Sequence, residues 1–227
     1  MDIPHYVVMA LIWAFPVLIA ITFHEVAHGY VAWRLGDDTA KRLGRLSLNP
    51  FRHVDLYGTV IVPAILILTM GFPFGWAKPV PVDFGRLQHP RRDMVWVAVA
   101  GPAMNLFLAI ASIFVLNAVP YLPEATRYWL FRIIELFVQI NLILAVFNMI
   151  PIPPLDGGRV AVGLLPMPLA RALARLERFG FLIIIAVLFV LPWLGGEIGV
   201  DLSIFPWLIG VPVEFLFRVI AGMAGFG

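Results

Sequence analysis

Two histidines spaced four residues apart, His24 and His28, lie with Glu25 at the end of a strongly apolar stretch of the chain. Residues i and i+4 of a helix project from one face, so both imidazoles can bind a single Zn²⁺ ion. Glu25 directly follows the first histidine, where its carboxylate can take a proton from an attacking water molecule. An ionisable side chain at bilayer depth costs about 3 kcal/mol unless it is paired or bound to a metal. The pattern predicts a zinc site inside a membrane; the alternative is a hydrogen-bonded polar cluster between helices.

The composition is that of an integral membrane protein. Of 227 residues, 61% are hydrophobic and only 13% are charged, far from the balance of a soluble domain. This length accommodates one integral membrane domain, residues 1–227, with five or six spans. The apolar N-terminal stretch is too long for the core of a signal peptide and lacks a small-residue cleavage site, so we interpret it as a span. The sequence has no cysteine, which excludes thiolate ligands and a cysteine nucleophile.

The apolar stretches predict an all-α polytopic membrane protein. Five of them are convincing spans, at residues 6–33, 94–119, 129–150, 180–194 and 203–222. A further stretch, 58–72, is close to the lower length limit for crossing and contains Pro63. We expect a catalytic core at about residues 6–165, followed by the C-terminal helices at about 180–222.

A third zinc ligand must come from elsewhere in the chain, and Asp156 is the best candidate. It follows three prolines in the run Asn148–Arg159, at the end of the span 129–150. Prolines break the helix and leave free backbone groups, which membrane proteins tolerate where the backbone lines a wet cavity. The alternative interpretation of this run is an ordinary Pro-Gly turn at the membrane surface.

These motifs resemble the two signatures of the site-2 proteases, which are zinc intramembrane metalloproteases. The run Ala100–Asn105 is similar to the Gly-Pro-x-x-Asn motif of that family, on the span between the two signatures. The stretches 45–55 and 75–82 resemble a compact bacterial and archaeal branch. Many relatives carry a PDZ or CBS domain, for which this chain has no room.

The resemblance implies one Zn²⁺ per chain, held by His24, His28 and Asp156, with Glu25 as the catalytic base. It implies that Asn148 hydrogen-bonds the substrate backbone or the developing oxyanion. Asn105 has a similar polar role or, alternatively, bridges two helices. The expected partners are a transmembrane protein substrate and the lipid bilayer, without nucleic acid; no oligomeric state is predicted.

The run Pro79–Val82 predicts a small extended or β edge element near the active site. Its prolines lack N–H donors, so it suits a sheet edge, where Val80 and Val82 could bind an unwound substrate. His53 and Asp55 could support or inhibit the metal site, or form a polar pair in an interfacial loop. His5 and His89 have no partner at ligand spacing.

The zinc ligands also constrain the topology. Because His28 and Asp156 both lie at C-terminal ends of spans, those two helices should run parallel, with span 94–119 crossing between them. We therefore expect 58–72 to be re-entrant or half-buried, so that Arg45 and Arg86 face one compartment. Nearly all basic residues then fall on one side, which the positive-inside rule makes cytoplasmic. The predicted location is the plasma membrane, with the active site opening to the cytoplasm.

The predicted function is hydrolysis of peptide bonds within or near transmembrane segments of other proteins. One alternative is a metal-dependent hydrolase of a non-peptide amide or ester. Another is a catalytically silent relative that binds transmembrane helices as a scaffold or chaperone, although such a protein has no use for Glu25. A zinc or proton transporter is disfavoured, because spans 180–194 and 203–222 contain almost no polar residues beyond Glu214 and Arg218.

Overall fold

The computed structural model describes residues 5–70 and 75–225. Within these ranges the regular structure is helical, which confirms the predicted all-α class. The α-helices are α1 (His5–Arg34), α2 (Thr39–Arg42), α3 (Val62–Met70), α4 (Pro90–Leu116), α5 (Glu124–Asn148), α6 (Asp156–Leu164), α7 (Met167–Arg175), α8 (Glu177–Ile185), α9 (Leu191–Glu197) and α10 (Val211–Met223).

Five helical stretches are long and apolar enough to cross a membrane, and they coincide with the five predicted spans. They are Ala14–Arg34, Pro90–Tyr121, Thr126–Asn148, Glu177–Glu197 and Pro206–Met223. The sixth apolar stretch forms a shorter helix, Leu56–Leu68. Gly71 and Phe72, at the end of that predicted segment, lie outside the described residues.

Three π-helical turns each end two residues before a proline. A proline lacks the N–H group, and its ring collides with the carbonyl four residues earlier. Widening the turn to i→i+5 hydrogen bonds relieves that collision and lets the helix continue. The turns are Leu56–Ile61, Ala186–Val190 and Pro206–Gly210, and the prolines are Pro63, Pro192 and Pro212.

Helix α4 lies at the centre of the bundle, with α1 and α5 packed against it. One buried cluster joins Ile113 of α4, Leu142 of α5 and Ile220 of α10. Many large apolar side chains remain exposed on the outer helix faces, among them Phe107 and Trp207. Apolar surface of this extent is expected of helices surrounded by lipid. The packing of α1 and α5 against α4 therefore encloses the polar side chains on the facing surfaces of these helices.

Of the predicted extended or β edge element, the β form is not supported, since none of the described residues forms a strand. Residues 75–83 lack regular structure. Pro79 and Pro81 supply no N–H donors on one edge, and the N–H of Val80 on the other edge donates to the side chain of Glu25, so this segment pairs with no strand. It is held instead by isolated contacts, including one from the N–H of Lys78 to the carbonyl oxygen of His53 (2.9 Å).

Candidate metal centre

Three buried side chains converge between the start of α6 and the C-terminal half of α1. His24 and His28 lie one helical turn apart, with their Nε2 atoms separated by 3.0 Å. The Oδ2 atom of Asp156 lies 3.2 Å from each of these nitrogens. The structure thus brings together the three side chains that the sequence suggested as metal ligands.

The donor set fits a zinc ion. Donor atoms at the corners of a tetrahedron around Zn²⁺, with bonds of about 2.0–2.1 Å, lie about 3.3 Å apart. The Oδ2 atom of Asp156 is buried and has no hydrogen-bond partner of ordinary geometry. An ionised carboxylate facing two imidazole nitrogens is well suited to hold a divalent cation.

The second nitrogen of each histidine contacts a group on α4. The Nδ1 atom of His24 lies 2.5 Å from Oδ1 of Asn105, and Nδ1 of His28 lies 2.6 Å from the carbonyl oxygen of Val97. Both partners are acceptors, so both Nδ1 atoms carry the proton. The Nε2 lone pairs are then free to face a metal, as is usual for metal-binding histidines.

Gly101 makes room for the two imidazoles on the same face of α4. A Cβ atom at this position would lie 2.4 Å from Nε2 of His28 and 2.6 Å from Nε2 of His24. Any larger residue would therefore collide with both rings. Asn105 follows four residues later, on the same face as Gly101. The run Gly101–Asn105 supplies both the space for the histidines and an anchor for one of them.

Asn141 extends this contact to a third helix, and the sequence analysis missed it. The amide nitrogen of Asn105 donates to Oδ1 of Asn141 (2.8 Å), and both side chains are fully buried. The amide of Asn141 then donates to the carbonyl oxygen of Phe137 on its own helix (2.8 Å). The one available signal was an asparagine in the middle of an apolar span, where burying a polar side chain costs free energy.

Close backbone approaches fix the loop before Asp156. A Cβ atom on Gly157 would lie 2.2 Å from the carbonyl oxygen of Met149, and one on Gly180 of α8 would lie 1.7 Å from that of Pro153. Gly180 thus lets α8 pack directly on the proline run. The loop is confined between its own beginning and α8, which sets the position at which α6 starts.

Comparison with known proteins decides the family. The family model described as "Peptidase family M50" matches residues 118–191. The chain is 42% identical over 179 residues to "Putative zinc metalloprotease YwhC" of Bacillus subtilis, covering 77% of this chain and 78% of that protein. The chain belongs to peptidase family M50, the site-2 protease family.

Two more distant relatives agree with this assignment. "Putative zinc metalloprotease Rip2" of Mycobacterium tuberculosis H37Rv is 31% identical over 200 residues, covering 88% of this chain and 70% of Rip2. "Putative zinc metalloprotease MJ0611" of Methanocaldococcus jannaschii is 33% identical over 139 residues, covering 61% and 62%. No solved structure matches the chain. With its five potential spans, this M50 chain is a metalloprotease and a multi-pass membrane protein.

Glu25 of this M50 protein is half-buried, and its Oε2 atom accepts a hydrogen bond from the N–H of Val80 (2.7 Å). That contact joins α1 to the segment 75–83 across 55 positions of sequence. Val80 itself is buried, whereas Val82 is half-buried. The donor that a substrate strand would need at position 80 is therefore already used by Glu25.

The other predicted polar residues that the structure describes have hydrogen-bond partners other than the three ligand candidates. Asn148 donates from its amide to the carbonyl oxygen of Leu144 one turn earlier (3.0 Å). Asp55 accepts from the N–H of Gly58 (2.7 Å) and begins the π-helical turn at Leu56. His53 is buried, with Nε2 bonded to the carbonyl oxygen of Ser47 (2.8 Å). His89 is exposed, and the side chain of His5 is outside the described part of the chain.

Proposed function

We propose that this chain is a zinc-dependent intramembrane endopeptidase that cleaves peptide bonds within or near transmembrane segments of other membrane proteins. The convergence of His24, His28 and Asp156 carries the proposal, because two of these ligand atoms belong to a helix long and apolar enough to span a bilayer. The position of these two histidines in a membrane-spanning helix gives the substrate class, since only a membrane-embedded or membrane-adjacent peptide can reach such a site.

In this proposal His24, His28 and Asp156 hold one Zn²⁺ per chain. When bound, the ion supplies Lewis-acid polarisation of the scissile carbonyl and lowers the pKa of the attacking water. Glu25 takes the proton of that water and delivers it to the leaving amine nitrogen as the peptide bond breaks. Asn105 and the carbonyl of Val97 keep both imidazoles in the required tautomer. Asn148 is assigned to the substrate backbone or oxyanion once its amide leaves the carbonyl of Leu144.

The proposed topology places the basic loops on the cytoplasmic side of the plasma membrane, with Leu56–Leu68 half-buried or re-entrant. Two contacts between the loops that flank this short helix support it. Arg45 donates to the carbonyl oxygen of Lys78 (2.8 Å), and Arg86 pairs with Asp38 (2.8 Å). If Leu56–Leu68 crossed the bilayer, the loops before and after it would lie on opposite faces.

The test compares Glu25→Gln with wild type, with Glu214→Gln, an exposed glutamate of α10, as the matched control. Purified variants are assayed for zinc content, and membranes carrying each variant are compared by quantitative proteomics. We expect equal zinc in all three, with truncated transmembrane proteins in wild type and Glu214→Gln only. Full cleavage by Glu25→Gln would overturn the role of the base. If neither wild type nor Glu25→Gln produced truncated transmembrane proteins at equal zinc content, a scaffold would be favoured instead. Accumulation of a non-peptide product would favour the other hydrolase.

A further inference from the structure

We propose that the backbone N–H of Val80 is a positioning group for the carboxylate of Glu25. Residues 75–83, called the strap below, hold this N–H in place. The proposal deepens the proposed function, on which it rests for the role of Glu25 as the base. It assigns to the strap a task other than pairing with substrate at position 80.

The contact itself is short and specific. Oε2 of Glu25 lies 2.7 Å from the nitrogen of Val80, within the range of a charge-assisted hydrogen bond. A glutamate side chain has three rotatable bonds, and an unheld carboxylate would sample several orientations. One fixed donor reduces this freedom. The bond engages one lone pair of Oε2, and both lone pairs of Oε1 are left for the proton of the attacking water.

The two flanking prolines make Val80 suited to this task. Pro79 and Pro81 lack N–H groups, so Val80 supplies the one backbone donor of this tripeptide. A residue that precedes a proline is restricted to extended conformations, and here Val80 precedes Pro81. The direction of the Val80 N–H is therefore largely set before the contact with Glu25 forms.

The strap is anchored on both sides of Val80 by residues that do not belong to the metal site. Before it, the N–H of Lys78 donates to the carbonyl oxygen of His53, while Arg45 donates to the carbonyl oxygen of Lys78. After it, the N–H of Asp83 donates to Oδ2 of Asp37 (2.7 Å), whose side chain is fully buried. The second anchor gives a role to the buried side chain of Asp37, which lies outside the metal site.

Gly29 provides the surface of α1 on which the side chain of Val80 packs. A Cβ atom on Gly29 would lie 2.7 Å from Cγ1 of Val80, so the valine packs directly against the helix backbone. Gly29 follows Glu25 by four residues and lies on the same helix face. Packing at Gly29 and the hydrogen bond to Glu25 thus hold Val80 against one face of α1.

Hydrogen exchange of the full-length purified protein tests the contact without relying on activity or zinc. In protein labelled with ¹⁵N-valine and ¹⁵N-aspartate, the amides of Val80 and Asp83 report separately on the two hydrogen bonds. We expect Glu25→Ala to accelerate exchange at Val80 at least about tenfold while Asp83 keeps its rate. Asp37→Asn should accelerate Asp83. Equal Val80 rates in wild type and Glu25→Ala would overturn the proposal.

Kinetics on a transmembrane peptide substrate test the consequence for catalysis. Val80→Pro removes the N–H, whereas Val80→Ala keeps it and removes most of the side chain. We expect Val80→Pro to lower kcat about 10–100-fold, with KM and zinc content within about twofold, because a misplaced base costs rate rather than binding. The loss of kcat in Val80→Ala should be at least tenfold smaller than the loss in Val80→Pro. Equal losses would assign the effect to packing and overturn the proposal.

If Val80→Pro fails to fold, an ester at position 80, made by incorporating 2-hydroxyisovaleric acid, removes the N–H while keeping the side chain. The same loss of kcat is expected, and wild-type kcat in the ester variant would overturn the proposal. Retained cleavage by Glu25→Gln would contradict the proposed function instead. The exchange result at Val80 does not depend on that outcome, so the two failures are distinguishable.

Discussion

The Nδ1 atom of His24 and the Oδ1 atom of Asn105 lie 2.5 Å apart, although 81 positions separate the two residues in sequence. Because an amide oxygen can only accept, this contact fixes the tautomer of His24. Asn105 is in turn fixed by Asn141 and by the carbonyl oxygen of Ala20. The orientation of one ligand candidate on α1 therefore depends on side chains of α4 and α5.

Replacing Asn141 should weaken zinc binding without touching a ligand. Asn141→Leu keeps the branched shape and the number of non-hydrogen atoms of the side chain but removes the acceptor that holds the amide of Asn105. We expect the zinc dissociation constant to rise about 10-fold, as for other residues that support metal-binding histidines. The matched control is Asn117→Leu, since Asn117 bonds the carbonyl of Ala224 and lies outside this network. Competition with a fluorescent chelator measures both; equal dissociation constants in the two variants would contradict the role of Asn141.

The sequence predicted the parts of the molecule that depend on local pattern. Hydropathy located all five spans, and the i, i+4 spacing placed His24 and His28 on one face. Asp156 was found because it follows three prolines at the end of a span, in a run that also resembles a family signature. Asn141 was missed because an isolated asparagine in a span gives no sign of which helix it faces. The contact between Val80 and Glu25 depends on the path of the chain after Leu68, which no periodicity encodes.

The predicted β edge does not form, and the contacts of its remaining donors give the reason. Pro79 and Pro81 remove the donors of one edge, while the N–H groups of Lys78 and Val80 on the other edge bond to His53 and Glu25 instead of to a strand. The same deficit gives Val80 its single well-directed donor. The π-helical turns could have been predicted from the sequence, because a proline follows each of them at the same distance. These prolines are Pro63, Pro192 and Pro212.

Zinc occupancy should separate Asp156 from Asp55. Asp156→Ala removes one of three converging donors, and we expect the zinc content of purified protein to fall well below one ion per chain. Asp55→Ala removes the acceptor for the N–H of Gly58 and should cost about 1 kcal/mol of local stability, without loss of zinc. Elemental analysis by mass spectrometry gives both values. Zinc loss in Asp55→Ala but not in Asp156→Ala would contradict the site.

Gly101→Ala should damage the metal site through a single methyl group. Its Cβ would lie 2.4 Å from Nε2 of His28, so an imidazole or α4 must move. We expect at least about a tenfold loss of zinc affinity, comparable to other disturbances of ligand orientation. Gly222→Ala is the matched control, because a Cβ at that helical position meets nothing within 4 Å. The control should keep its zinc and gain up to about 1 kcal/mol of helix stability; equal zinc binding by both variants would show that Gly101 provides no needed space.

Asp37 should make stability depend on acid pH. Burial alone would raise the pKa of Asp37, but hydrogen bonds from Thr39 and Asp83 outweigh it and hold the pKa below the ordinary 3.8. A carboxyl group with a lowered folded-state pKa stabilises the fold above its unfolded pKa, and that stabilisation disappears as the pH falls through the folded value.

We therefore expect Asp37→Asn to lower the free energy of unfolding by about 1–3 kcal/mol at pH 7. The gap from wild type should close as the pH falls below about 4, near the unfolded-state pKa of aspartate. Thermal unfolding in detergent across this pH range measures the effect. Asp38→Asn is the control, because the exposed pairs of Asp38 with Arg42 and Arg86 should contribute at most about 1 kcal/mol. A gap that stays constant down to pH 3 would contradict the ionised role of Asp37.

The last prediction concerns the short apolar helix Leu56–Leu68. Contacts from Arg45 to Lys78 and from Asp38 to Arg86 join the loops on its two sides, so both loops should face one compartment. The sequence contains no cysteine, which allows single cysteines to report on each loop. Leu48 and Gln88 are exposed, and neither side chain takes part in those contacts, so they are better positions than Arg45 and Arg86. Tyr121, exposed in the connection between α4 and α5, reports on the opposite side.

An impermeant thiol reagent should label Leu48→Cys and Gln88→Cys in inverted vesicles but not in intact cells. Tyr121→Cys should show the reverse pattern, because span Pro90–Tyr121 separates it from Gln88. The positive-inside rule gives the direction, since the basic residues concentrate in the loops around positions 48 and 88. Labelling of positions 48 and 88 from opposite sides would mean that Leu56–Leu68 crosses the bilayer. His28 and Asp156 would then approach from opposite faces, and the contact between Arg45 and Lys78 could not exist in the membrane.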